Sequence, residues 1–312
     1  MISRMDIEAA SKRIGGYIRK TPVISLEPGS WGLPCRLTLK LELLQHSGSF
    51  KVRGAFNRLL SRQVPVAGVI AASGGNHGAA VAYAARQLGY YAEIFVPEVC
   101  PVVKVQRLRS YGAQVTQVGA FYAEAYAACE RRATETGALM VHAYDQAEVL
   151  IGQGTLGREI DRQVPDVDSI LVAVGGGGLI GGIASWFSQK ARVIGVEPEQ
   201  IPTLHAALAA GRPVDVTVGG IAADSLGARQ VGQLAFEVAR QAVNKVVLVE
   251  DEAIQEAQSR LWEALRIVAE PGGAAALAAL ISGRYKPASD EHVCVVVCGA
   301  NVDLETFTRL PG

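Results

Sequence analysis

From about residue 69 onward, the chain alternates short β-rich runs with alanine-rich amphipathic stretches, and this alternation constrains the fold more than any other feature. Helical patterns follow most of the runs; they include 78–88, 203–210 and 251–267, and another begins at Pro101 and Val102. Strand–helix alternation is typical of parallel sheets with helices on both faces, so the sequence predicts an α/β fold. The β-rich runs are 69–72, 92–96, 170–174, 192–197, 245–250 and 293–297.

The charge of the chain is balanced, with 30 basic and 30 acidic side chains and no long block of one sign. This balance argues against a nucleic-acid or membrane partner, so we expect a small-molecule partner. Residues 169–189 are uncharged, but six glycines interrupt them, which argues against a membrane span. The charged N-terminus has no signal-peptide pattern, and the five cysteines form no CxxC pair. We therefore expect a cytoplasmic protein without a disulfide framework or a zinc site.

A run of four glycines, Gly175, Gly176, Gly177 and Gly178, follows the β-rich run at 170–174 and leads into a helical pattern. A glycine loop between a strand and a helix is typical of a phosphate-binding site, because backbone N–H groups can converge on an anion at the helix N-terminus.

The same loop also satisfies the dinucleotide motif G-x-G-x-x-G through Gly176, Gly178 and Gly181. Glu197 lies about 20 residues further on, where a dinucleotide fold places its ribose-binding acid. Taken alone, this segment would therefore indicate an NAD-dependent dehydrogenase.

A second segment, residues 45–55, places Lys51 among small residues and one aromatic residue. Gly48 and Ser49 leave room for a bulky group beside Lys51, and Phe50 offers an apolar wall. Apolar surroundings lower the pKa of an amine, as a Schiff-base lysine requires, although a lone lysine is more often a solvated surface charge.

The sequence GSFKVRGA around Lys51 resembles the lysine signature of the serine/threonine dehydratase family, whose members depend on pyridoxal 5'-phosphate (PLP). Similarity begins near TPVISL (21–26) and LKLELLQ (39–45) and runs to CGANVDL (298–304). The resemblance implies fold type II, the tryptophan synthase beta-like fold, with two three-layer α/β domains whose sheets are rich in parallel strands. The large domain would comprise 1–65 plus 146–312, with 66–145 inserted as the small domain. Members of this family are commonly homodimers.

The resemblance also implies a set of site residues. Lys51 would be the catalytic residue that carries the cofactor. A loop that binds the substrate carboxylate would contain Ser73, Gly75, Asn76 and His77, with Asn76 also beside the phenolic oxygen of PLP. Other cofactor-binding residues would be Phe50, the four glycines at 175–178 for the phosphate, and Cys298 against the pyridine nitrogen. His77 would shape the loop and take no part in acid–base chemistry.

One position in this loop departs from the racemases of the family. Racemases carry a serine directly before the Gly-Asn-His of the loop, where it serves as a second proton carrier on the face opposite the lysine. This chain has Gly74 there, and Ser73 is one residue too early. The departure argues against racemase activity.

Glu197, the Ile201 carbonyl and Thr203 resemble a cation site that some members have. Because only one carboxylate is present, a monovalent ion such as K⁺ fits better than a divalent ion, and a plain helix cap is an equal alternative. Glu270 matches a family turn near the PLP ring and could be only structural.

The resemblance implies that the enzyme converts a β-hydroxy L-amino acid to a 2-oxo acid and ammonia by α,β-elimination. L-Threonine and L-serine are the expected substrates, and 3-hydroxyaspartate and phenylserine are alternatives. The NAD-dependent dehydrogenase, a PLP-fold binding module and a β-replacing synthase remain as competing interpretations.

Overall fold

The computed structural model describes residues 2–27, 29–188, 190–303 and 307–308. Its strands are β1 (Val23–Leu26), β2 (Arg36–Lys40), β3 (Val69–Ala72), β4 (Ala92–Val96), β5 (Gln114–Gln117), β6 (Leu139–Met140), β7 (Ser169–Ala173), β8 (Arg192–Pro198), β9 (Lys245–Val249) and β10 (His292–Val296). Its helices are α1 (Arg4–Ile14), α2 (Lys51–Leu60), α3 (Asn76–Gln87), α4 (Val102–Ser110), α5 (Tyr122–Thr136), α6 (Ala147–Gln163), α7 (Gly178–Phe187), α8 (Thr203–Ala210), α9 (Ala223–Leu226), α10 (Gln233–Ala242), α11 (Asp251–Leu265) and α12 (Pro271–Ile281).

The larger sheet has six strands in the order β1-β2-β10-β7-β8-β9. Every neighbouring pair is parallel except β1 and β2. β10 lies between β2 and β7, with Cys294 opposite Thr38 on one side and Ile170 on the other. All five residues of β7 and all five of β10 are buried, as expected for central strands covered on both faces. This strand order brings the two ends of the chain together beside the glycine loop.

The smaller sheet has four parallel strands in the order β5-β4-β3-β6, all from the segment between residues 69 and 140. Side chains alternate between its two faces, because successive residues of a strand point in opposite directions. Ile70 and Phe95 pack with Cys129 of α5, whereas Val69 and Ile94 pack in the cluster that includes α3. Helices therefore cover both faces, and the predicted α/β fold with two domains is confirmed.

The boundary of the small domain at residue 66 stays a prediction. Three buried side chains of α2, Val52, Phe56 and Leu59, belong to the same hydrophobic cluster as β3 and α3. The core around the small sheet therefore includes a helix that the predicted division assigns to the large domain. The predicted large domain also contains residues 304–306 and 309–312, which lie outside the described residues.

The six β-rich runs correspond to six of the strands, within one residue at each end. The predicted helix at 78–88 begins two residues earlier, at Asn76. The helix predicted at Pro101 and Val102 begins at Val102, with Pro101 as its N-cap residue. Among the described residues, no helix is long and apolar enough to cross a membrane.

Candidate active site

The parallel strands β2, β10 and β7 direct their carboxyl ends to one edge of the large sheet, where ligand sites of α/β folds occur. Phe50, directly before Lys51, donates its backbone N–H to the carbonyl oxygen of Cys298 over 3.2 Å. Ser49 and Gly299 form an isolated β-bridge beside this bond. The chain pairing therefore places Lys51 and Cys298 on adjacent segments, although 247 positions separate them in sequence (298 − 51).

Lys51 is the first residue of α2 and is half-buried. Its Nζ donates a hydrogen bond to the carbonyl oxygen of Ala143 over 2.8 Å and lies 5.2 Å from the centre of the Phe50 ring. Burial lowers the pKa of Lys51 to about 8, and the nearby carboxyl group of Glu270 opposes this shift only partly. A larger fraction of this amine is therefore unprotonated at neutral pH than for an ordinary lysine, which suits it to act as a nucleophile and base.

The glycine loop runs from the end of β7 to the first residue of α7. Gly177 has φ +86°, a conformation that residues with side chains rarely adopt. A Cβ atom at Gly176 would lie 2.2 Å from the ring of Tyr144, and one at Gly177 would lie 2.7 Å from the Cβ of Ala235. The first N–H groups of a helix have no acceptor within the helix. Gly176 and Gly177 are therefore packed too closely against Tyr144 and Ala235 to carry side chains, and the backbone N–H groups at this helix N-terminus are suited to an anion.

The asparagine loop, residues 73–77, joins β3 to α3. Ser73 accepts a hydrogen bond from the backbone N–H of Gly75 through its Oγ, over 3.2 Å. His77 is buried, and its Nε2 forms a 2.8 Å hydrogen bond with the carbonyl oxygen of Val141. Burial, together with the charge of Lys51, lowers the pKa of His77 to about 3. His77 is therefore neutral and ties the loop to the end of β6, and its role in shaping the loop stays a prediction.

Asn76 connects the asparagine loop to two residues from the other end of the chain. Its Nδ2 donates to Oε1 of Glu270 over 2.6 Å, and its Oδ1 accepts from Nδ2 of Asn301 over 2.6 Å. Sequence reasoning did not single out Asn301. The CGANVDL segment contained it, but no sequence pattern pairs it with a residue 225 positions away.

Cys298 is buried at the end of β10, and its Sγ donates to the carbonyl oxygen of Gly272 over 3.4 Å. Burial and the neighbouring Glu270 raise the pKa of the thiol, so it stays protonated at neutral pH. A neutral thiol can form a weak hydrogen bond with a pyridine nitrogen but does not protonate it as an aspartate would.

Glu197 does not fit the dinucleotide interpretation of the glycine loop. Its side chain is fully buried, and its Oε1 accepts from Thr203 Oγ1 over 2.8 Å and from the N–H of Leu204 over 2.7 Å. Oε2 accepts from the N–H of His205 over 2.9 Å. The carboxylate therefore caps α8 and cannot reach a ribose hydroxyl. The NAD interpretation is wrong because Glu197 cannot serve as the ribose-binding acid that it requires.

The predicted cation-site residues lie together, next to the glycine loop. The Thr203 hydroxyl contacts both Glu197 and the carbonyl oxygen of Gly175, the latter over 2.6 Å, and the Ile201 carbonyl accepts from the N–H of Thr203. Burial raises the pKa of Glu197 to about 7, although the N–H groups of Leu204 and His205 oppose the shift. The helix-cap alternative accounts for these contacts, and the K⁺ site stays a prediction.

Gly74, the position that distinguishes racemases, is confined on its side-chain face. A Cβ atom there would lie 2.7 Å from Sγ of Cys100 and 3.7 Å from Cγ1 of Val96. A side chain at this position would therefore require Cys100 to move.

The residues of this site fit PLP. The glycine loop offers a cradle for its phosphate, Lys51 an amine for its aldehyde, and Cys298 a neutral thiol for its ring nitrogen. The lowered pKa of Lys51 agrees with the formation of a Schiff base at neutral pH.

Comparisons with known proteins show the family of this chain. The family model described as pyridoxal-phosphate dependent enzyme matches residues 14–299. An L-threonine ammonia-lyase from Geobacter sulfurreducens is 40% identical over 307 residues, which span 97% of this chain and 76% of that protein. Maize serine racemase superposes with a TM-score of 0.93 at 33% identity, over 98% of this chain and 96% of its own. A threonine deaminase from T.th. gives a TM-score of 0.91 at 35% identity, over 97% of this chain and 99% of its own. The chain therefore belongs to the family of pyridoxal-phosphate dependent enzymes.

Proposed function

We propose that this protein is a PLP-dependent ammonia-lyase that converts L-threonine, L-serine or both to a 2-oxo acid and ammonia by α,β-elimination. The observation that carries the proposal is the half-buried Lys51 amine, with its pKa lowered to about 8, beside the asparagine loop and Cys298. Relatives named as L-threonine ammonia-lyases, at 40% and 36% identity over nearly the whole chain, support the substrate class.

In the proposed reaction, Lys51 and the asparagine loop have separate tasks. The unprotonated Lys51 amine accepts the proton of the substrate Cα. The backbone N–H groups around Gly75 and the Ser73 hydroxyl bind the substrate carboxylate, because they lie at the N-terminus of α3. The bound cofactor supplies an electron sink for the developing negative charge on Cα. Since Cys298 does not protonate the ring, this sink would be a weak one, which favours rapid loss of the β-hydroxyl group. That group leaves as water, and the proton it takes up balances the proton that Lys51 removes from Cα. Hydrolysis of the resulting enamine then yields the 2-oxo acid and ammonia.

The pKa of Lys51 sets an expected pH dependence for cofactor attachment. Protonated amines do not attack aldehydes, so the rate constant for PLP incorporation into the apoprotein should rise with pH and level off above about pH 8. An ordinary lysine, with a pKa near 10.5, would continue to gain in rate well above that pH. The measurement is stopped-flow absorbance across a pH series, with Nα-acetyllysine in the same buffers as the control for titration of PLP itself. A profile that follows the control without levelling off would contradict the lowered pKa.

Substrate identity is tested by 2-oxo acid release from a panel of β-hydroxy amino acids, with PLP-loaded protein. We expect the highest kcat/KM for L-threonine or L-serine and no release from the D-enantiomers. Higher kcat/KM for 3-hydroxyaspartate or phenylserine would keep the reaction type and replace the substrate. No release from any of them, with PLP bound, would overturn the proposed reaction.

Racemisation is the second candidate function, because serine racemases are among the similar structures. Removal and return of a proton on opposite faces of Cα requires a second acid–base group opposite Lys51, and Gly74 has no side chain to supply one. We therefore expect L-serine to yield pyruvate without D-serine. Chiral chromatography of the reaction mixture measures both, and D-serine formed at a rate similar to that of pyruvate would contradict this prediction.

We further propose that the protein is a cytoplasmic homodimer that binds K⁺ at Glu197, the Ile201 carbonyl and Thr203. Family resemblance supports the dimer, and the adjacent oxygen atoms of Thr203, Glu197 and Gly175 support a cation beside the glycine loop.

Light scattering at several protein concentrations tests the dimer. Activity and melting temperature in KCl compared with a tetramethylammonium salt test the cation, and equal values would overturn it.

A further inference from the structure

Asn76, Asn301, Glu270 and Ser47 form a continuous hydrogen-bonded chain beside Lys51. Asn301 Nδ2 donates to the carbonyl oxygen of Ser47 over 2.7 Å and to Oδ1 of Asn76 over 2.6 Å. The Nδ2 of Asn76 then donates to Oε1 of Glu270 over 2.6 Å. The three side chains come from the asparagine loop, the turn before α12 and the segment after β10. The chain therefore joins three parts of the sequence at one point of the site.

The direction of these hydrogen bonds is fixed at one end by the backbone carbonyl group of Ser47, which cannot act as a donor. A backbone carbonyl only accepts hydrogen bonds, so the amide group of Asn301 must present its NH₂ to Ser47. The same NH₂ faces Asn76, which must therefore present its oxygen. The NH₂ of Asn76 consequently faces Glu270, whose carboxyl oxygen accepts. Each amide has one orientation in which every contact is satisfied.

The backbone packs closely against the side chains of Asn301 and Glu270. Gly48 has φ +76°, and a Cβ atom there would lie 2.6 Å from Oδ1 of Asn301. A Cβ atom at Gly299 would lie 2.0 Å from Oε1 of Glu270. Glu270 is buried, and its backbone N–H donates to the carbonyl oxygen of Gly299 over 3.1 Å. Asn301 thus packs against Gly48 and Glu270 against Gly299. A side chain at either glycine would displace its neighbour.

We propose that Asn301 and Glu270 are positioning residues that hold the amide of Asn76 in one orientation, with its second N–H free to donate to the phenolic oxygen of PLP. This inference rests on the proposed function and on the family resemblance, which implies that Asn76 lies beside that oxygen. A reversed amide would present its own oxygen to the phenolic oxygen, and two acceptors in contact repel each other. Glu270, whose role the sequence left open, then acts on the cofactor through Asn76.

The decisive variant is Asn301→Asp, which keeps the shape of the side chain and removes both donors. Its carboxylate would face two acceptors, the Ser47 carbonyl and Asn76 Oδ1, so Asn76 should turn its NH₂ toward position 301. We expect a shift of the visible absorbance band of bound PLP and a fall in kcat of roughly tenfold or more, with a smaller change in KM. The matched control is Asn244→Asp, because Asn244 accepts from the N–H of Val193 through Oδ1 and an aspartate can do the same. We expect this control to match the wild type.

Two variants at Glu270 test the other end of the chain. In Glu270→Gln the amide oxygen can still accept from Asn76, so the band should match that of the wild type. In Glu270→Leu the acceptor is lost and only Asn301 still holds Asn76, so the band should shift in the same direction as in Asn301→Asp but by less. An unshifted band in Asn301→Asp, or equal shifts in Glu270→Gln and Glu270→Leu, would overturn the proposal. If Asn301→Asp does not fold, the Glu270 pair decides.

The absorbance band also separates this inference from the proposed function. If the wild-type protein binds PLP but releases no 2-oxo acid, the proposed reaction fails, whereas the band still reports the orientation of Asn76. If the reaction occurs and the variants leave the band unchanged, only the positioning role fails.

Discussion

Replacement of Lys51 by alanine is expected to abolish turnover, with kcat/KM at least about a thousandfold below that of the wild type, as the loss of both the cofactor anchor and the general base implies. The visible absorbance of protein-bound PLP should disappear after gel filtration, because the amine that holds the aldehyde is gone. Activity and the absorbance spectrum of the same PLP-treated sample provide both measurements.

Two control variants separate this loss from general damage. Lys12→Ala makes the same change at an exposed position of α1 and should retain wild-type activity. Lys51→Arg keeps the positive charge but cannot provide an unprotonated amine, because arginine stays charged, so it should be as inactive as Lys51→Ala. Persistent turnover or persistent bound absorbance in Lys51→Ala would refute the assignment of Lys51.

Replacement of Arg53 by methionine is expected to destabilise the protein by about 3–5 kcal/mol, the cost of leaving a buried charge without its partner. Arg53 lies two residues after Lys51 in α2, and its side chain is fully buried. Its Nε lies 2.5 Å from Oε1 of the fully buried Glu42, and its Nη2 lies 3.0 Å from Oε2 of Glu159. Methionine fills much of the same space but pairs with neither carboxylate. Urea unfolding monitored by circular dichroism gives the free energy of unfolding.

The control for Arg53→Met is Arg284→Met, which removes an exposed arginine that also contacts two carboxylates. Arg284 is 47% exposed and lies 3.0 Å from Glu199 and 2.7 Å from Glu250. Exposed ion pairs contribute little, so this variant should lose no more than about 1 kcal/mol. Equal losses of unfolding free energy in the two variants would show that burial does not increase the contribution of the Arg53 ion pairs with Glu42 and Glu159.

The ion pairs that Arg53 and Lys40 form with Glu159 also imply a direction for the pH dependence of stability. Burial alone would raise the pKa of Glu159, but the charges of Arg53 and Lys40 outweigh burial and lower the pKa. A carboxylate whose pKa is lower in the folded than in the unfolded state contributes stability above its unfolded pKa and loses it as the pH falls through the folded value. These ion pairs should therefore lose their contribution to stability under acidic conditions, as the pH falls below the ordinary pKa of glutamate.

The sequence predicted the parts of the site that depend on short segments. Lys51 and the four glycines stand out as candidates because each sits in a contiguous pattern whose chemistry follows from neighbouring residues. The central strands could be found because buried parallel strands are continuous apolar runs. In contrast, β6 has only two residues, and β5 has an exposed glutamine at each end, so neither shows a strong pattern.

Contacts between distant segments could not be predicted from one sequence. The hydrogen bond between Asn301 and Asn76 joins the segment after β10 to the loop after β3, whose strands lie in different sheets, and no local pattern shows this contact. The same applies to Arg53, whose buried ion pairs with Glu42 and Glu159 no neighbouring residue indicates. At Gly74 the sequence predicted the missing acid–base group, but only the structure shows that Cys100 limits the space there.

The most direct test of the account is the stoichiometry of products from L-threonine with PLP-loaded protein. One measurement would follow ammonia and 2-oxobutanoate together, by enzymatic ammonia assay and chromatography of the same samples. The account predicts equal amounts of both, with matching loss of L-threonine and none with the Lys51→Ala variant. L-Threonine that is consumed without ammonia, or the release of no ammonia from either L-threonine or L-serine, would contradict it.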